Sequence, residues 1–189
     1  MFWLKILYLK TYINQTLNHD GAFPFRYYKD LIDVCRDRDI KNALELGTAL
    51  GLTAASFLYK KDLHLITIEK HARLIEKANK NIVGIYGEEV LNRVEFVEGR
   101  YFDVLDKWQE GDENKKFDKK FDLVFMDAYV SRYNEVEKFS HLLASGGVYI
   151  VSNIREDIEK SVAAKVFLLK SGMFEHLKTV DDTIFVIKK

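Results

Sequence analysis

The chain has 189 residues, carries 29 basic and 29 acidic side chains, and contains a single cysteine, Cys35. That length suits a fold with a substantial core, and the charge balance excludes the overall basic field that nucleic acids or anionic membranes attract. One cysteine excludes an internal disulfide and indicates a reducing, cytoplasmic environment.

The first 40 residues are predicted to form a helical segment, followed by a ligand-binding domain over residues 41–189. Within the segment, Phe2–Leu17 is predicted as an amphipathic helix that packs on the domain, contacts a second copy in a homodimer, or covers a ligand site as a lid. Lysines interrupt it, and it falls short of the roughly 20 apolar residues of a membrane-spanning helix. Pro24 is predicted to open a second helix, Phe25–Arg38.

Beyond this segment, apolar β-branched runs alternate with helical patterns. The predicted strands are Asn42–Gly47, His64–Glu69, Val94–Gly99, Phe121–Asp127 and Gly147–Asn153. The predicted helices are Leu50–Tyr59, Ala72–Tyr86, Phe102–Gln109, Tyr133–Leu143 and Asp157–Lys170. Strand alternating with helix predicts βαβ units, which build a parallel sheet with helices on both faces.

The end of the chain breaks this alternation. Two strand-like runs, Glu175–Val180 and Thr183–Ile187, are joined by Asp181 and Asp182, too few residues for a crossover helix. They are therefore predicted to pair antiparallel as a hairpin at the sheet edge. The complete prediction is a Rossmann-like, doubly wound α/β fold with a mostly parallel seven-stranded sheet. The charged segment Gly111–Lys120 is predicted to be a solvated loop.

Polar and acidic residues collect at the carboxyl ends of the five parallel strands, where sheets of this kind bind ligands. In strand order these residues are Glu45 with Gly47, Glu69, Gly99 with Arg100, Asp127, and Ser152 with Asn153. Acids at such positions can also cap the helix that follows, so their presence alone does not define a site.

The turn after the first strand discriminates between ligands. A dinucleotide turn needs glycines where this chain has Ala49 and Leu52, and a phosphate loop needs a lysine after Gly51. Glu45 would repel a pyrophosphate and attract a cation such as an ammonium or a sulfonium. Glu69 lies where an acid of the second strand accepts the hydroxyls of a ribose. The ligand predicted here has a positive group at one end and a ribose further along.

S-adenosylmethionine has that shape, and here the chain resembles the class I methyltransferases. The segment Glu45-Leu-Gly-Thr-Ala-Leu-Gly51 resembles their first motif, E/D-x-G-x-x-x-G. The likeness continues, in order, in Thr67-Ile-Glu69, Val94–Gly99, Phe121–Ala128 and Leu142–Val148. Within that superfamily the chain is similar to O-methyltransferase family 3, the relatives of catechol and caffeoyl-CoA O-methyltransferases.

The resemblance implies a set of residues around the amino-acid half of S-adenosylmethionine. The glycines of the turn would let the backbone approach the ligand, Glu45 would orient its ammonium, and Thr53 would bind its carboxylate. Thr48, which lies between the two glycines, belongs to the same group. The residues implied for this half of the cofactor are Glu45, Gly47, Thr48, Gly51 and Thr53.

The same resemblance implies contacts to the rest of the cofactor. Glu69 would hold the ribose hydroxyls. Gly99, Arg100 and Tyr101 follow the third strand, where this family frames the adenine. Asp127 would lie beside the methionine moiety and, in metal-dependent members, beside the metal.

The chain departs from the metal-dependent members of the family at two positions. These members bind Mg²⁺ through an acid after strand four and an Asp-Asn pair after strand five, and here the pair is Ser152-Asn153. Asp127 and Asn153 remain as candidate metal ligands, but a single anionic ligand predicts a weak site. Val130 stands where these members carry a lysine as general base. A divalent metal is therefore not expected to be required.

The candidates for catalytic contacts are Asp127, Tyr129 and Asn153. The candidates for a general base are Tyr129, Tyr133, His71 and His19. The predicted function is methyl transfer from S-adenosylmethionine to an oxygen of a small molecule or modified nucleoside, without a nucleic-acid or membrane partner. One alternative is a non-catalytic S-adenosylmethionine-binding module. Another is a nucleotide-dependent dehydrogenase, which the turn disfavours, or a spermidine-synthase-like transferase.

Overall fold

The computed structural model describes residues 25–110, 120–127 and 133–189, in which six α-helices and seven strands follow one another. The helices are α1 Phe25–Asp37, α2 Leu52–Leu58, α3 Ala72–Tyr86, α4 Tyr101–Glu110, α5 Tyr133–Ser140 and α6 Glu159–Lys170. The strands are β1 Asn42–Leu46, β2 His64–Glu69, β3 Val94–Glu98, β4 Phe121–Met126, β5 Leu143–Val151, β6 Phe174–Val180 and β7 Thr183–Lys188. A short 3₁₀ helix, Glu88–Asn92, precedes β3. The predicted helix Phe2–Leu17, Pro24 and nearly all of the loop Gly111–Lys120 lie outside the described residues.

The seven strands form one sheet in the order β3-β2-β1-β4-β5-β7-β6. Parallel pairing joins β1 to β4, β4 to β5 and β2 to β3, whereas β7 pairs antiparallel with both β5 and β6. The strand order reverses at β1, so the switch point lies between β1 and β4. The prediction of a mostly parallel sheet with a C-terminal antiparallel hairpin is confirmed.

The boundary between α5 and β5 differs from its prediction by more than two residues, whereas the other described boundaries differ by two or fewer. The fourth crossover helix was expected to reach Leu143, but α5 ends at Ser140 and β5 begins at Leu143. The Phe121 N–H donates to the Leu142 carbonyl, and Leu143 pairs with Phe121 ahead of a register shift. Lys188 donates to the carbonyls of Ser140 and Leu143. Apolar Leu142-Leu143 fits a helix or a buried strand equally well, and pairing with β4 decides between them.

The described chain divides into two compact units. The first holds residues 25–41 and 48–99, with α1 to α3, β2 and β3, and in it α1 packs on α2. The second holds residues 42–47, 100–110, 120–127 and 133–189, with β1, β4 to β7 and α4 to α6. The domain boundary predicted near residue 40 stays a prediction.

The strands of the second unit carry its core. Four consecutive residues of β1 and the last five of β5 are buried without alternation, which is typical of strands that are covered on both faces. The longest described helix, α3, has 15 residues. Among the described residues, no helix is both long and apolar enough to span a membrane.

Candidate active site

The turn after β1 begins at Gly47, in the second unit. Its φ of 102° is strained for any residue with a side chain. A Cβ on Gly47 would lie 2.8 Å from the carbonyl oxygen of Asp127, whose own N–H donates to the Leu46 carbonyl. Glycine is therefore required here because the backbone beyond β4 passes directly against the turn.

The turn continues from Thr48 to Gly51 in the first unit. The Gly51 N–H donates to the Thr48 carbonyl at 2.9 Å, and Gly51 has a φ of 81°. A Cβ on Gly51 would lie 3.0 Å from the Cβ of Ala78 and 3.3 Å from Cδ1 of Ile82, both on α3. The second glycine of the motif is thus required by packing against α3. Ala49 adopts a left-handed φ of 46° without being a glycine.

Glu69 ends β2 with its carboxylate held by two backbone donors. The Ala49 N–H donates to Oε2 and the His71 N–H donates to Oε1, each at 3.1 Å, and the residue is 7% exposed. Because a carboxylate has about four lone-pair positions, both oxygens keep capacity for a further donor. Gly99 lies beyond β3, and its N–H donates to the Glu69 carbonyl at 3.0 Å. The predicted ribose acceptor is thus oriented before any ligand arrives.

Two more predicted cofactor residues of the first unit are buried. The Thr48 hydroxyl forms a hydrogen bond of 2.5 Å with the hydroxyl of Thr67 on β2. This leaves the backbone of Thr48, rather than its side chain, to meet a cofactor. Thr53 lies in the first turn of α2 and is 8% exposed.

The remaining predicted cofactor residues lie in the second unit. Glu45 is fully buried within β1. Arg100 is exposed, and its carbonyl accepts the Val104 N–H at the start of α4. The Tyr101 ring packs edge-on against Phe139, with 5.7 Å between the ring centroids.

The fold brings Asp127 and Asn153 together, one residue beyond β4 and two beyond β5. The Asn153 amide donates from Nδ2 to Oδ1 of Asp127 at 2.5 Å. Asn153 has a φ of 57°, a conformation that asparagine tolerates better than most residues. Burial raises the pKa of Asp127 to about 7, and the charge of Asp182 acts in the same direction, while the bond from Asn153 opposes both. A carboxyl that is desolvated to this extent binds a proton far more readily than an ordinary aspartate.

This donor set does not fit the Mg²⁺ site of the metal-dependent relatives. Ser152 is fully buried, and its hydroxyl is hydrogen-bonded to that of Thr183 on β7 at 3.0 Å. Asn153 turns a donor, not an oxygen, toward Asp127. Across the part of the chain that the structure describes, no group of three or more His, Cys, Asp or Glu side chains is placed to hold a metal ion.

Of the other candidates for a general base, two lie among the described residues. Tyr133 donates its hydroxyl to Glu137 at 2.8 Å, and this bond raises its pKa. His71 is exposed, and its backbone N–H donates to the Glu69 carboxylate. Outside the described residues lie Tyr129, Val130 and His19.

Sequence reasoning gave no site role to Asp182, the last residue of the hairpin turn. The structure ties it to the residues beyond β5, because the Ile154 N–H donates to the Asp182 carbonyl at 2.9 Å. A signal for this was available: in an antiparallel pair, the start of β7 lies beside the end of β5, and Val151 indeed pairs with Ile184.

The reversed strand order and the glycine turn at its switch point define a Rossmann-like α/β protein of the class I methyltransferase type. A family model described as a methyltransferase domain matches residues 44–154, more than half of the chain. The chain belongs to this methyltransferase family. The predicted class, an S-adenosylmethionine-dependent methyltransferase, is thereby confirmed.

Several solved structures share the fold. A Staphylococcus aureus protein proposed to be a caffeoyl-CoA O-methyltransferase is 22% identical, with a TM-score of 0.77 over 98% of this chain and 92% of that one. TomG, a Streptomyces achromogenes O-methyltransferase of tomaymycin synthesis solved with S-adenosylmethionine, is 21% identical, with a TM-score of 0.71 over 97% and 90%. A Bacillus cereus O-methyltransferase solved with S-adenosylhomocysteine is 20% identical, with a TM-score of 0.71 over 100% and 91%. Among curated proteins, no match was found.

Proposed function

We propose that this chain transfers a methyl group from S-adenosylmethionine to an oxygen of a small molecule or modified nucleoside, without help from a metal. The observation that carries the cofactor half of the proposal is the Glu69 carboxylate, held by the N–H groups of Ala49 and His71. A carboxylate fixed in this way is preorganised to accept both hydroxyls of a ribose. Family membership and the O-methyltransferases of the same fold support the oxygen acceptor.

When bound, the cofactor supplies a methyl group activated by its positive sulfur. Glu69 would hold the ribose, and Glu45 would orient the ammonium. The backbone from Gly47 to Gly51 would contact the amino-acid half, and Thr53 would bind its carboxylate. Gly99, Arg100 and Tyr101 would frame the adenine.

Asp127 acts on the acceptor side of the reaction. A hydroxyl is a better nucleophile once its proton is taken, and a base that is poised near neutral pH does this most efficiently. Asp127 is half-buried, and Asn153 fixes its orientation. Tyr129 stays a proposed contact to the acceptor. Asp127 thus takes the role that the lysine, absent at Val130, has in the metal-dependent relatives.

Calorimetric titration with S-adenosylhomocysteine tests the cofactor half. Hydrogen bonds to a charged acceptor are worth about 1.5–3 kcal/mol each, so Glu69→Gln should raise the dissociation constant about 10- to 100-fold. Glu98→Gln is the matched control, because Glu98 pairs in register with Glu69 on β3 but is exposed. It should bind within about twofold of the unaltered protein, since 0.4 kcal/mol is about a factor of two. No binding by the unaltered protein at millimolar ligand refutes the proposal.

A second candidate function is a non-catalytic S-adenosylmethionine-binding module. It is favoured because Ser152 and Val130 stand where the metal-dependent members carry a metal ligand and a lysine base. Methyl-labelled cofactor incubated with cell extract separates the two. Label transfer to an acceptor, abolished by Asp127→Asn, supports the enzyme. Tight cofactor binding with no label transfer supports the module.

A further inference from the structure

The turn after β1 is attached to β2 at two successive residues. The Thr48 hydroxyl is bonded to that of Thr67, and the next residue, Ala49, donates its N–H to Glu69. Thr67 and Glu69 are two positions apart, so they lie on the same face of the strand. The hydroxyl pair and the carboxylate bond therefore form two neighbouring attachments between one turn and one strand.

The hydroxyl pair is sealed from solvent. Thr48 is 2% exposed and Thr67 is fully buried. A hydrogen bond between buried groups has no water to replace it, so the loss of one partner leaves the other without that bond. The pair is therefore a stronger constraint on the turn than a surface bond would be.

The turn needs such a constraint because its own backbone does not favour its shape. Ala49 has a φ of 46°, in the left-handed region that residues with a Cβ avoid. The same residue supplies the N–H that orients the Glu69 carboxylate. If the turn relaxes, Ala49 leaves this conformation and its N–H moves away from the carboxylate.

We propose that Thr67 is a positioning residue for cofactor binding: its buried bond to Thr48 holds the turn in the conformation in which Ala49 orients the ribose acceptor Glu69. Thr67 touches no cofactor in this scheme and acts through Thr48 and Ala49. The inference rests on the proposed function, because it needs Glu69 to be the ribose acceptor.

The test is the affinity for S-adenosylhomocysteine, measured calorimetrically well below the melting temperature of each variant. Thr67→Val removes the hydroxyl but keeps the size and the β-branched shape that suit a strand. It should raise the dissociation constant about 5- to 20-fold, the loss expected for one buried bond. Thr67→Ser keeps the hydroxyl and should bind within about threefold of the unaltered protein.

Thr183→Val is the matched control. It breaks the other described pair of buried hydroxyls, Thr183 with Ser152, by the same chemical change in the second unit. If Thr67 only contributes to folding, the two valine variants should bind alike, and this overturns the inference. Affinity retained by Thr67→Val overturns it as well.

A double variant separates positioning from independent effects. Thr48→Val removes the other half of the same bond and should weaken binding as much as Thr67→Val does. The combination should be no weaker than either single variant, because both remove one interaction. Additive losses overturn the inference. If Thr67→Val does not fold, Thr48→Val alone decides, and an unaltered protein that fails to bind the ligand refutes the proposed function instead.

Discussion

Replacing Asp127 by asparagine should make the protein more stable at alkaline pH and less active. The folded state raises the pKa of this carboxyl from 3.8 to about 7, mainly through burial and then through the charge of Asp182. Asparagine has no charge to bury. Its side-chain oxygen still accepts the bond that Asn153 now donates to Asp127.

The size and the sign of the effect follow from this shift. Between pH 4 and pH 7 the folded state keeps a proton that the unfolded state has released, so the free energy of unfolding falls as the pH rises. The loss is complete above the folded pKa. One pKa unit corresponds to 1.36 kcal/mol, so ionised Asp127 lowers the stability by about 4 kcal/mol at pH 8 and by less than about 1 kcal/mol at pH 4.

Urea denaturation of both proteins at pH 4, 6 and 8 measures the difference. Asp127→Asn should gain about 2–4 kcal/mol at pH 8 and almost nothing at pH 4, because the other titrating groups cancel in the comparison. Asp182→Asn removes the repelling charge, so the gain from Asp127→Asn should be smaller in that background. A gain that does not depend on pH, or no gain at pH 8, would refute the argument.

A control of opposite sign is available on the surface. Asp62 accepts hydrogen bonds from Lys41 and Lys60, which hold its pKa below the usual range. Asp62→Asn should therefore lose stability at neutral pH, and the difference should shrink as the pH falls below 4. The two variants together test whether burial or ion pairing determines the pKa of each carboxyl.

Three further predictions concern the turn, the thiol and the metal. Gly51→Ala should lower the free energy of unfolding in urea by about 2–4 kcal/mol, since the left-handed φ and the contact with Ala78 both oppose a Cβ. At Gly84 in α3 a Cβ meets nothing within 4 Å, so Gly84→Ala should raise the free energy of unfolding by about 0.5–1 kcal/mol. Cys35 is buried, which raises its pKa to about 12, so Ellman's reagent should react with it in urea but not in the native protein; rapid native labelling would contradict its burial. Excess EDTA should change neither methyl transfer nor S-adenosylhomocysteine affinity, and a steep Mg²⁺ dependence would restore the metal-dependent interpretation.

The order of elements could be predicted from the sequence because burial leaves a local trace. Buried parallel strands appear in the sequence as continuous apolar runs, and in the helices between them an apolar residue recurs every three to four positions. The Asp181-Asp182 link was too short for a crossover, and β6 and β7 do pair antiparallel. The boundary of β5 escaped prediction because pairing of Leu143 with Phe121 is not a local property.

The sequence supplies the residues proposed for the candidate site but not the contacts that they make. The sequence by itself determined that Glu45, Gly47, Gly51 and Glu69 stand in a methyltransferase motif, since motif spacing is a property of the chain. The motif explained both glycines by an approaching ligand, whereas in the tertiary structure a Cβ would lie 2.8 Å from a protein atom at Gly47 and 3.0 Å from one at Gly51.

Side-chain partners distant in sequence were decided by the tertiary structure alone. Thr48 bonds to Thr67 across 19 residues, Asn153 to Asp127 across 26, and Ser152 to Thr183 across 31. Such pairs depend on strand order and register, and a shift of one residue would turn the strand residues Thr67 and Thr183 to the other face of the sheet. The sequence therefore named the methyl donor and the fold that binds it. The tertiary structure decided that Ser152 is buried against β7 and that Asn153 donates to Asp127 at the end of β4.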